Sequence, residues 1–163
     1  MKRTRTLRSR WSASLSTKAS VSDIAPSGST DSELLFLLAM QFGLERDPLG
    51  AISETLAFVE RLADHLERKV LVRFTAAFSD GRTLYAVRYA TDFHAPTLYA
   101  APMGSKGGYC LVSEPLNDET ETWVEIPDGS AVVLGENGVD VRIFNPVGRP
   151  ASTSAGTAVA KVK

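Results

Sequence analysis

From residue 34 the chain carries an almost unbroken apolar run: Leu34, Leu35, Phe36, Leu37, Leu38, Ala39, Met40 and Phe42. This pattern predicts a helix from about Asp31 to Glu45, apolar nearly all round, as buried helices are. A second helix follows Pro48, a residue suited to the first turn. There Ile52, Leu56, Val59, Ala63 and Leu66 recur at spacings of four and three, which marks one apolar face. Glu54, Glu60, Arg61, Asp64, Glu67 and Arg68 decorate the other sides and read as a solvated surface. After Lys69 the period shortens to that of strands. "VLVRFTAAF" and "TLYAVRYA" flank "SDGR", a hairpin signal centred on Asp80-Gly81. Further short strands follow near 97, 108, 122, 130 and 139, with turns at Pro127-Asp128-Gly129 and Glu136-Asn137-Gly138. Two helices and then about seven antiparallel strands define an α+β fold with helices layered on a sheet.

The helix start at "GSTDSELLF" has a chemistry of its own. Thr30 and Glu33 are spaced as a capping box, in which the Thr30 hydroxyl accepts from a first-turn amide and Glu33 reaches back to the amide of Thr30. Asp31 then occupies the first helical position, where its charge meets the positive end of the helix dipole. A cap alone explains these residues, so Asp31 by itself demands no further role.

Composition narrows the class. The chain has 163 residues, 44% of them hydrophobic and 23% charged, with a net charge of −1. That suits one globular domain with a real core and no global pull toward nucleic acid or membrane. No run approaches a membrane span. The single cysteine, Cys110, excludes an intramolecular disulfide framework and fits a reducing compartment such as the cytoplasm. It sits in an apolar strand pattern and reads as a small buried hydrophobe. His65 and His94 are far apart, so no zinc-type site is expected, and no cofactor is implied. His94 reads as a loop residue. "GSKGG" at 104–108 joins strands and opens no helix, which argues against a phosphate loop. Residues 1–27 are basic and serine-rich, with no acidic residue before Asp23. A transit peptide or a nucleic-acid-binding arm would share that composition, but the reading adopted is a disordered lead-in. Residues 145–163 read as a disordered tail.

The order of motifs points further. Ser29-Thr30-Asp31-Ser32-Glu33, the hairpin Ser79-Asp80-Gly81-Arg82, Ser113-Glu114-Pro115-Leu116, and Trp123 through Pro127-Asp128-Gly129 follow one another on the expected elements. Over residues 28–144 this resembles the C-terminal half of class II glutamine amidotransferases, especially small stand-alone members such as those related to ergothioneine biosynthesis. The resemblance implies part of a four-layer αββα sandwich of the N-terminal-nucleophile type. The reaction it implies is hydrolysis of glutamine to glutamate, with ammonia passed to an acceptor. It places Asp31 at the position that binds the α-amino group of glutamine, and makes Thr30, Ser113 and Glu114 possible pocket-lining residues. It assigns no catalytic residue here, because the family nucleophile is an N-terminal cysteine and this sequence begins Met1-Lys2. The resemblance therefore suggests a truncated domain without its nucleophile. Such a domain would be poorly soluble, self-associating, or dependent on a partner chain that carries the N-terminal half. The alternative is a non-catalytic α+β module that keeps the scaffold for binding or complex formation.

Overall fold

The computed structural model describes residues 28–103, 107–117, 122–135 and 138–146. The expected lead-in over 1–27, most of the expected tail, and the Glu136-Asn137 turn lie outside them. Among the described residues two helices, α1 (Asp31–Gln41) and α2 (Pro48–His65), precede seven strands. These are β1 (Arg73–Ser79), β2 (Leu84–Ala90), β3 (Tyr99–Pro102), β4 (Tyr109–Val112), β5 (Val124–Glu125), β6 (Ser130–Gly135) and β7 (Gly138–Ile143). All pairings are antiparallel, so the α+β reading holds.

The strands form two sheets, one ordered β1-β2-β6-β7 and the other β4-β3-β5. Their faces follow from the alternation of side chains. On one face of the larger sheet, Val87, Tyr89 and Ala131 pack with Ala39, Ile52 and Leu56 of the helices. On the other face, Ala86, Val132, Leu134, Val139 and Val141 pack against Leu98, Ala100 and Ile126 of the smaller sheet and its flanks. The described residues thus make three layers, helix on sheet on sheet. The fourth layer implied by the resemblance is not among them.

α1 ends four residues earlier than its apolar run predicts. The Gly43 amide donates to Met40 O and the Leu44 amide to Ala39 O, both at 3.1 Å. This paired closure is a Schellman motif, and it requires a left-handed residue, which Gly43 supplies with φ of +88°. Leu44 then turns inward onto the helix–sheet cluster that contains Ala39. Nor is α1 buried all round. Leu34, Leu38 and Ala39 are buried, but Phe36 is 55% exposed. The apolar excess that reads as a fully buried helix covers a face with nothing packed on its outer side among the described residues.

α2 has the predicted inward face: Ile52, Leu56, Val59 and Ala63 are buried. Asp47 caps it by accepting from the Gly50 amide at 3.1 Å, and Pro48 occupies the first helical position. One charged residue departs from the predicted solvated face. Glu60 accepts from the Tyr89 hydroxyl at 2.6 Å and ties α2 to β2. The helix closes as α1 does, with the Arg68 amide donating to Ala63 O at 2.9 Å, but here Glu67 takes the left-handed position at φ of 51°.

The two sheets are joined by one buried cation. Arg88 is only 8% exposed, in the middle of the apolar strand β2. Its guanidinium donates to Ile126 O, to Ala95 O at 3.4 Å and to Glu125 Oε1 at 2.7 Å. The Ala95 amide in turn donates to Asp128 Oδ2 at 2.8 Å.

Two predictions follow from this packing. Replacing Arg88 by Leu strips two buried carbonyls of their donor and should lower the unfolding free energy by about 3 kcal/mol. The Glu125 side chain is 52% exposed, so Glu125→Gln should cost no more than about 1 kcal/mol. Urea denaturation of both variants checks the order; the reverse order would mean that the ion pair outweighs the carbonyl bonds. Glu67→Gly should stabilise the protein by about 1 kcal/mol by removing the left-handed strain of a residue with a Cβ. Glu67→Ala keeps that Cβ and should bring no gain in the same thermal melts.

Candidate functional site

The start of α1 is built as its sequence implies, with one change. Thr30 is extended (φ −94°, ψ 146°), and its Oγ1 accepts from the Glu33 amide at 3.2 Å. The return bond goes to Gly28 rather than Thr30: Glu33 Oε1 accepts from the Gly28 amide at 3.0 Å. The chain before the cap therefore folds back against the carboxylate. A Cβ at Gly28 would lie 2.3 Å from Glu33 Oε2, so a side chain there would push the carboxylate off its bond.

This capped turn presents Asp31 at the first helical residue, exposed to solvent. No ion pair among the described residues engages its carboxylate. Beside it opens a cleft of about 380 Å³ between the first turns of α1 and the strand β1. Leu35, Phe36, Leu44 and Ile52 give it an apolar wall, Asp31 and Ser32 stand at the helix end, and residues 73–78 of β1 form the opposite side. Thr55 also lines it, with its hydroxyl donating to Ala51 O at 2.8 Å. The arrangement is a largely apolar slot with one carboxylate at the positive end of a helix, which favours a ligand that carries an ammonium group.

The cation of this cleft is already engaged. Arg73 Nη2 donates to Asp92 Oδ2 at 2.7 Å, and Arg73 Nε lies 3.3 Å from the same oxygen. That hydrogen bond raises the Arg73 pKa and, with help from the His94 amide, lowers that of Asp92. His94 is a loop residue, as expected. Its amide donates to Asp92 Oδ1 at 3.3 Å, and its ring is largely exposed.

The other sequence-derived candidates lie elsewhere. Thr30 serves the cap and is not among the residues that line the cleft. Ser113 and Glu114 follow β4 in the smaller sheet, are exposed, and do not line the cleft either. Ser113 O accepts from the Thr97 hydroxyl at 2.8 Å, which bridges the ends of β3 and β4. Cys110 sits on β4, half-buried rather than fully buried, with its thiol 3.5 Å from Ala101 O. Sequence reasoning missed both Arg73 with Asp92 and Arg88. The signal for Arg88 is a lone charge inside the apolar run of "LYAVRYA". The Arg73–Asp92 pair leaves no local signal, because the two residues meet only through the β1–β2 pairing. Among the described residues no three His, Cys, Asp or Glu side chains converge as metal ligands. No helix there is long and apolar enough to cross a membrane.

No protein-family model matches the chain, and neither does any curated protein. Among solved structures, a glutamine aminotransferase class-II domain protein from Silicibacter pomeroyi is similar to it. The two share 43% identity over 74% of this chain, with a TM-score of 0.68. The match takes in 54% of that structure, so the chain spans about half its length. This likeness supports the class II glutamine amidotransferase resemblance carried by the motifs.

The Arg73–Asp92 pair yields a pH prediction. A carboxyl whose pKa is lowered on folding adds stability above its unfolded value, here 3.8, and loses it as pH falls through the folded value. The raised Arg73 pKa adds nothing in acid, where the guanidinium is charged in both states. The Asp92 carboxyl should therefore titrate below 3.8 when followed by carbon NMR, and Arg73→Gln should bring its midpoint back up.

Proposed function

We propose that this chain forms the glutamine-holding part of a class II glutamine amidotransferase-like domain, with Asp31 as the residue that receives the α-amino group. The observation that carries the proposal is the place of Asp31. It is the first residue of a capped helix, exposed, and on the rim of an apolar cleft. An ammonium group there would donate charge-assisted hydrogen bonds to the exposed carboxylate. The aliphatic stem of the amino acid would lie along Leu35 and Phe36, and the cap would keep the carboxylate at a fixed angle.

The family reaction is hydrolysis of glutamine to glutamate with transfer of the ammonia. The one cysteine of the sequence, Cys110, belongs to the smaller sheet and does not line the cleft. We therefore assign no nucleophile to this chain. Its part in the reaction is to bind and orient glutamine, and the attacking group comes from outside the described residues. Because about half of the neighbouring structure has no counterpart here, glutamine hydrolysis belongs to the whole domain.

Titration with L-glutamine, followed by amide NMR, tests the assignment. The amides of Asp31, Ser32 and Glu33 should shift with L-glutamine and stay still with 4-carbamoylbutanoate, which lacks the amino group. Asp31→Asn should weaken L-glutamine binding about tenfold or more, the worth of a charge-assisted bond. Equal shifts with both compounds, or unchanged affinity in the variant, would remove Asp31 from the role.

A further inference from the structure

We propose that residues 7–11 of this chain, Leu7-Arg8-Ser9-Arg10-Trp11, dock in the cleft between α1 and β1 and compete there with a ligand for Asp31. The proposal rests on the functional reading above only for the identity of that ligand, L-glutamine. The occupant itself is argued from the chemistry of the cleft and of the segment.

The cleft selects for two properties at once. Its walls are apolar, with Leu35, Phe36 and Ile52 on the helices and Phe74 and Phe78 on the strand. Phe36, on that wall, is 55% exposed. The rim carries the Asp31 carboxylate, which no ion pair among the described residues engages. The cation that lines the cleft, Arg73, is paired with Asp92 at 2.7 Å. A matching occupant therefore brings an apolar side chain for the slot and a cation for the rim. With about 380 Å³ of space, the slot has room for an aromatic ring and not for a folded element.

The sequence holds such a segment close by. Over residues 1–27, Lys2, Arg3, Arg5, Arg8, Arg10 and Lys18 stand against a single acid, Asp23, and Trp11 is the one aromatic residue. Side chains alternate along an extended backbone. "LRSRW" laid out so would turn Leu7 and Trp11 toward the slot and leave Arg8 and Arg10 along the rim, beside Asp31. The tether favours the contact. The described chain starts at Gly28, whose amide is held by Glu33 Oε1 at 3.0 Å, so the segment is delivered to the same helix end that carries Asp31. A link of about 16 residues between Trp11 and Gly28 gives an effective concentration in the millimolar range. At that concentration a contact with a millimolar Kd is about half formed, so a small contact of one ring and one cation is enough.

Amide NMR of the full chain tests this by comparing the parent with the variant Arg8→Gln/Arg10→Gln/Trp11→Ala. The amides of Asp31, Ser32, Phe36 and Ala76 should differ between the two, and those of the smaller sheet should not. High salt should move the Asp31 and Ser32 amides of the parent toward their positions in the variant, because it screens the contact at the rim. The variant should bind L-glutamine about twofold more tightly, the gain expected when a half-occupied competitor is removed. Cleft amides that coincide in parent and variant, and that ignore salt, would overturn the docking; L-glutamine binding that is equal in both would then leave the functional reading standing. Differences spread over the whole chain would overturn it as well. Cleft shifts that grow with protein concentration would overturn the occupant in favour of the segment of a second copy. Cleft shifts at constant concentration, with no L-glutamine binding in either protein, would uphold the docking and reject the functional reading.

Discussion

The guanidinium of Arg88 fixes where the smaller sheet sits on the larger one, by bonding the segments that flank the smaller sheet. Apolar burial between the sheets supplies most of the free energy, through residues such as Ile126, Val132 and Ala100, all fully buried. Burial is non-directional, however, and two short sheets with small side chains could slide against each other. Arg88 removes that freedom. It reaches from the central strand to Ile126 O, Ala95 O and Glu125, so it clasps both the loop after β2 and the end of β5. Asp128 accepts from the backbone amide of the same residue, Ala95. The clasp is not fully satisfied: Arg88 Nε and Asp128 Oδ1 are buried without a hydrogen-bond partner among the described residues. That desolvation is a cost of fixing position through a buried charge.

With the sheets locked, the helices decide where the cleft falls. α2 packs across β2, fixed by its apolar face and by Glu60 on the Tyr89 hydroxyl. α1 is tethered to α2 through the closure at Gly43 and Leu44, and the Phe42 and Phe58 rings meet at 6.1 Å. The N-terminus of α1 is thereby set over β1 rather than over the middle of the sheet. The cap of Thr30 and Glu33 aims that end of the helix. One local signature thus does two jobs, starting a helix and placing a carboxylate on a rim.

Much of this was legible in the sequence wherever local physics decides. Period-two alternation and turn residues mark all seven strands, and Asp80 accepts from the Arg82 and Thr83 amides as its place in a hairpin turn suggests. The cap at Thr30 was equally readable. The C-terminus of α1 was not read, because the apolar run continues past it and only the backbone need at Gly43 marks the stop. The partial exposure of α1 is hidden in the sequence for a related reason. An all-round apolar helix indicates that every face is covered in the finished fold, not that every covering layer lies in the residues described. The cleft leaves no local signal, since its walls, helix residues between Asp31 and Thr55 and strand residues 73–78, meet only through the packing of helix on sheet.

The exposed flank of α1 and the edge strand β1 belong to one feature. Phe36 on the helix and Phe74 and Phe78 on the strand line a single slot. An isolated exposed phenylalanine needs no explanation, but an apolar helix face beside a strand with no charge from Phe74 to Ser79 does. β1 is the edge strand that borders Asp31. A carboxylate that binds an ammonium group in a slot open to water competes with the solvent for every contact.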